Sequence, residues 1–170
     1  MSTTLQYGGR MTQEPRWLSD REQRAWQAYR RMFLLLNAQL SRDLARQSGL
    51  SEPDYDVLSS LGSRPDHRCR VSELAERMLW SRSRLSHHLA RMEQRGLVVR
   101  EECATDGRGA VVVLTAPGQR TIEAAAPLHV ESVRKYFIDL LTAEEIDVFA
   151  DVGETVVERL TDTEGRRPTG

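Results

Sequence analysis

The chain has 170 residues, with 24 Lys and Arg against 25 Asp and Glu and a formal net charge of −1. That length suits one domain with extensions, and an apolar share of 39% is low for a chain that buries its own core. There is no run of 18 apolar residues and no signal-peptide pattern, which points to the cytoplasm and away from a membrane partner. Cys69 and Cys103 make neither a disulfide framework nor a zinc-site spacing, so no cofactor or metal is expected.

Residues 1–16, with Gly8, Gly9 and Pro15, lack periodicity and are expected to form a flexible arm. Ser19 with Glu22 three residues on is a capping box that starts a helix. Trp26, Tyr29, Phe33, Leu36, Leu40 and Leu44 follow at three- and four-residue steps, and Gly49 stops it. Such a helix is roughly 42 Å long, more than a domain of this size is wide, and its broad apolar stripe calls for a second subunit. Ser51 caps the next helix, with Pro53 in its first turn and Tyr55, Val57, Leu58 and Leu61 inward. Residues 71–78 read as a short helix with Val71, Leu74, Ala75 and Met78 inward, and Cys69 lies in a brief strand before it.

Only Leu79 and Trp80 separate that helix from the stretch Ser81–Gly96. Ser81 can cap its N-terminus, Gly96 can end it, and Leu85, Leu89 and Met92 form one apolar stripe. The opposite face carries Arg82, Ser83, Arg84, Ser86, His87 and Arg91, and no carboxylate occurs from Arg77 to Met92. A lone charged face is usually just solvated. Here a helix-turn-helix precedes it and a hairpin, residues 97–100 and 110–114 joined through Asp106, Gly107, Arg108 and Gly109, follows it. Helix, turn, helix and hairpin make a winged helix whose basic face can read double-stranded DNA in the major groove. Arg108 at the hairpin tip suits a narrow minor groove, with Asp106 holding it extended.

Thr115 caps a long helix that Pro127 should kink, with the apolar pattern running on to Leu140. Thr142 with Glu145 is a further capping box, and Ile146, Phe149, Val152, Val156 and Leu160 mark the last helix. Residues 139–164 hold nine carboxylates against Arg159, an acidic end separated from the basic centre. The expected fold is mainly α with a small β-hairpin wing, a winged helix-turn-helix flanked by long N- and C-terminal dimerisation helices. Its divisions are an arm at 1–16, a dimerisation helix at 17–49, the DNA-binding domain at 50–115, C-terminal dimerisation helices at 116–164 and a tail at 165–170.

These elements, with Gly49-Leu50-Ser51, Ser72-Glu73-Leu74-Ala75-Glu76-Arg77, Arg91 to Val98, and Asp106-Gly107-Arg108 through Leu114-Thr115-x-x-Gly118, resemble the MarR (multiple antibiotic resistance regulator) family over about residues 20–160. The resemblance implies a homodimeric repressor of a pseudo-palindromic operator, released by a small phenolic or anionic effector. It also implies a crevice between the dimerisation helices and the winged helix, with Trp17, Trp26, Tyr29 and His129 as candidate lining residues. Leu79 departs from the family, whose turn usually has Gly there, and predicts a less tight turn. The alternatives are a protein-binding scaffold or anti-regulator of the same fold, and a redox-responsive regulator acting through Cys69 or Cys103. No nucleophile elbow, phosphate loop or paired carboxylates support an enzyme.

Overall fold

The computed structural model describes residues 15–102 and 110–164. In chain order it contains α1 (Asp20–Ser48), α2 (Glu52–Gly62), β1 (Arg68–Arg70), α3 (Val71–Arg77) and α4 (Arg82–Gln94). Next come β2 (Val98–Glu102), β3 (Ala110–Leu114), α5 (Ala116–Tyr136), a 3-10 turn (Ile138–Leu140) and α6 (Ala143–Glu164). The chain divides into two units after Leu35, and α1 contributes to both.

In the first unit the Ser19 capping box forms as expected. The Glu22 carboxylate accepts from the Ser19 backbone N–H at 2.8 Å, and the Glu22 N–H donates back to Ser19 Oγ at 3.4 Å. Spacing of three and four residues stacks Trp26, Tyr29 and Phe33 along α1, with ring centroids 5.7 and 6.2 Å apart. Each of these residues stays about half exposed, and Trp17 is 82% exposed.

The second unit holds the core. Leu50, Val57, Leu58 and Leu61 pack with Leu74, Leu85, Leu89, Met92, Val98 and Val112, all essentially inaccessible to water. Each such side chain contributes about 1.5–3 kcal/mol through burial. The sheet order is β1-β3-β2, antiparallel throughout, with Cys69 opposite Val112 and Arg100 opposite Val112 on the other side. Arg100 clasps Glu93 through Nε at 3.1 Å and its backbone N–H at 3.0 Å, which ties the wing's base to the end of α4. Asp106 to Gly109, with Arg108 and also Cys103, lie outside the described residues.

Two expectations need correction. The turn at Leu79 is fully closed. Leu79 takes φ +53°, its N–H donates to Glu76 O at 3.1 Å, and the Trp80 N–H donates to Ala75 O at 2.9 Å. This is the Schellman pattern that usually places Gly in the left-handed position. Gly96, with φ +71°, closes α4 the same way through Glu93 O and Met92 O. Leu79 is 86% exposed, so its side chain gains little packing in return for the strain. Leu79→Gly is therefore expected to raise stability by about 1 kcal/mol, read from the urea midpoint at unchanged slope. A fall in midpoint would show that the leucine packs.

The second correction concerns the end of α5. The helix runs unbroken through Pro127 but stops at Tyr136, because Phe137 turns to φ −140°, ψ −66°, and a 3-10 turn replaces the expected continuation to Leu140. Phe137 then meets Phe149 of α6 at 5.0 Å, edge to face. Thr142 and Glu145 cap α6 as expected, with bonds of 2.8 and 3.2 Å. Along α6, Val148, Val152, Val156, Val157 and Leu160 each remain more than half exposed. No described helix is long and apolar enough to cross a membrane.

Candidate nucleic-acid interface

Ser81 sits in extended conformation and its Oγ accepts from the Arg84 N–H at 3.2 Å, so the first turn of α4 is capped without a carboxylate. Leu85, His88, Leu89 and Met92 are buried on one side. On the other, Arg82, Ser83, Arg84, His87 and Arg91 are exposed and Ser86 is half-buried, so the six predicted residues share one accessible side of the helix. Several arginines of the winged helix are neutralised: Arg64 by Glu73, Arg68 by Glu101, Arg95 by Asp54 and Arg100 by Glu93. Among the described residues, Arg82, Arg84 and Arg91 pair with no carboxylate. Two arginines in the first turn also face the positive end of the helix dipole, which disfavours them until an anion arrives. The arrangement suits the phosphates and acceptor-rich base edges of a nucleic acid.

What aims this helix is a buried cluster the sequence reading did not find. Asp54, 4% exposed, occupies the N3 position of α2. Its Oδ2 accepts from the Ser51 N–H at 3.0 Å and from the Arg95 guanidinium at 2.7 Å. Arg95 also donates to Gly49 O at 3.2 Å, so the end of α4 is bound to the corner between α1 and α2. His88 Nε2 lies 3.1 Å from Asp54 Oδ1, outside hydrogen-bond alignment, while its Nδ1 accepts from Arg91 at 3.0 Å. Acceptance at Nδ1 assigns the ring proton to Nε2, facing the carboxylate.

Burial pushes the Asp54 carboxyl upward, but Arg95 and Ser51 together outweigh it and hold the group below its ordinary value. For His88 burial dominates and lowers the imidazole, with the Asp54 charge opposing. His88 is thus neutral at pH 7. A signal for Asp54 was present in the sequence. It stands four and seven residues before Leu58 and Leu61, a carboxylate on the buried stripe of its helix.

The proposed effector residues fall in both units. Trp26 and Tyr29 stack in the first unit, where Trp17 is open to solvent. His129 belongs to α5 and lies against Tyr55 of α2 at 4.4 Å, with its Nδ1 buried and without a partner. Cys69 is buried, its Sγ donates to Arg70 O at 3.4 Å, and burial pushes its thiol up. A raised thiol is the opposite of what a reactive thiolate needs. Among the described residues, no three His, Cys, Asp or Glu side chains gather as metal ligands.

A helix-turn-helix, a three-stranded antiparallel sheet and an unpaired basic face on the second helix define a winged helix protein. A model described as MarR family matches residues 48–109. Transcriptional regulator HosA of Escherichia coli is 34% identical over 126 residues, covering 74% of this chain and 89% of that protein. The crystal structure of AbsC, a MarR family transcriptional regulator from Streptomyces coelicolor, superposes with a TM-score of 0.83 at 41% identity, over 87% of this chain and 99% of that one. Sco3205, a MarR family regulator from the same organism solved in complex with DNA, gives 0.81 at 38% identity, over 92% and 94%. The chain belongs to the MarR family of transcriptional regulators.

Proposed function

We propose that this chain is a homodimeric, DNA-binding repressor of a pseudo-palindromic operator, released by a small effector. The observation that carries DNA binding is the exposed, carboxylate-free face of α4, held rigidly by Asp54 and Arg95 from behind. Sco3205, which matches over most of this chain, was crystallised with DNA, and that supports the same partner here. Arg82, Ser83, Arg84, Ser86, His87 and Arg91 enter the major groove. Arg108, oriented by Asp106, enters the adjoining minor groove. The half-exposed apolar residues of residues 20–35 and of α6 support a dimer, since apolar surface on this scale calls for a second copy. The protein works in the cytoplasm, where its operator is.

An aromatic or anionic effector is assigned to Trp17, Trp26, Tyr29 and His129. Of these four, His129 offers a buried polar atom without a partner. The readout is tested at Arg84. Arg84→Ala is expected to weaken binding to the selected operator by about 1–3 kcal/mol and to flatten the preference at one base pair, as loss of a bidentate guanine contact would. Equal weakening on operator and random DNA would make Arg84 a phosphate contact only.

A further inference from the structure

The Arg84 guanidinium carbon lies 3.9 Å from the centre of the Trp80 ring. Trp80 is itself fixed from two sides. Its backbone N–H closes the turn on Ala75 O at 2.9 Å, and its ring meets the buried His88 ring edge to face, at 5.5 Å and 85°. His88 in turn faces Asp54 at 3.1 Å. A continuous line of side chains therefore runs from the buried carboxylate on α2, through His88 and the indole, to an exposed arginine on the reading face. Among the described residues, Arg84 is the arginine of α4 with an aromatic ring beneath it.

From this geometry we propose that Trp80 is a positioning residue for base recognition, holding Arg84 extended before DNA arrives. The proposal rests on the readout by Arg84 set out above and adds the side chain that aims it. Stacking engages the face of a guanidinium, whereas its five N–H groups lie in its plane. The indole can thus stay in place while the arginine's edge meets O6 and N7 of a guanine. A free arginine loses much rotamer freedom when it docks, and a stacked one has already lost part of it. The benefit falls on the specific complex. Contacts to phosphate tolerate a mobile arginine and gain little from the ring.

The test uses the full chain and a duplex that the wild type selects from random DNA, with a scrambled duplex as reference. Trp80→Leu and Trp80→Phe are made alone and together with Arg84→Ala. Trp80→Leu is expected to lower affinity for the selected duplex about 3- to 5-fold, the size of an exposed cation–π contact, and to leave the scrambled duplex nearly unchanged. Trp80→Phe should recover about half of that loss on a logarithmic scale. In the Arg84→Ala background, Trp80→Leu should have no further effect. The ratio of the two affinities from one preparation does not depend on the fraction of folded protein, so a partly misfolded variant still gives an answer. Equal loss on both duplexes, or the same loss with and without Arg84, would overturn the proposal and leave Trp80 a brace of the turn. Should Arg84→Ala itself leave base preference unchanged, the readout by Arg84 falls, and the role of Trp80 falls with it.

Discussion

Gly118→Ala is expected to destabilise the protein by about 3 kcal/mol or more, or to prevent folding at growth temperature. Gly118 is the third residue of α5, and its N–H donates to Thr115 Oγ1 at 3.0 Å in the cap. A β-carbon there would run into the Leu97 carbonyl oxygen, and would also come within 2.8 Å of a Leu114 methyl. Neither neighbour can retreat easily. Leu97 N–H closes the Schellman turn after α4, and the Leu97 carbonyl accepts from the Thr115 N–H at 3.2 Å. The glycine is required by close approach of two backbones, at the point where the wing meets the long C-terminal helix. Urea denaturation of the purified variant checks this, and a midpoint within error of the wild type would contradict it.

Asp54→Ala is expected to cost about 2–3 kcal/mol at pH 7. Removing one member of a buried charged cluster typically costs more, but Arg95 is half-exposed and water can solvate part of it. The substitution also removes the reciprocal bond to Ser51 that completes the α2 cap. The pH dependence should change as well. The folded Asp54 pKa is lowered, so its contribution is present above the unfolded carboxylate value and is lost as pH falls through the folded one. His88 is also lowered, hence its neutral form stabilises the fold above its unfolded value of about 6.5, and acid removes that contribution too. Wild type should lose stability in two stages on acidification. The variant should keep the stage near neutrality and show a smaller loss in the carboxylate range, where Asp43, Glu73 and Glu93 are also held below their ordinary values. Parallel stability curves for the two proteins below about pH 5 would contradict the role given to Asp54.

Local rules made much of the fold legible. Ser19, Ser51, Ser81, Thr115 and Thr142 all stand one residue before a helix and cap it, since capping needs only a short polar side chain and the next turn of backbone. The stripe Leu85, Leu89 and Met92 identified the buried side of α4, and the six polar residues opposite it followed. What local rules missed was tertiary. Arg95 sits 41 residues from Asp54, so its role in fastening α4 is invisible until the α1–α2 corner is folded beside it. The resemblance predicts a looser turn at Leu79 because the family usually has Gly there. The two Schellman bonds and the anchoring of Trp80 against His88 hold the backbone in place regardless. The end of α5 is not legible in the sequence because Phe137 and Leu140 continue an apolar helical period, while Phe137 turns out to pack on Phe149.

On the function proposed above, two copies of this chain read DNA through α4. Selection of bound sequences from a random duplex pool by this 170-residue chain checks it. The expected result is an enriched site made of two inverted half-sites whose centres lie about 10 bp apart, bound by two chains. A folded protein that enriches no sequence over the starting pool, or a single asymmetric half-site bound by one chain, would contradict it.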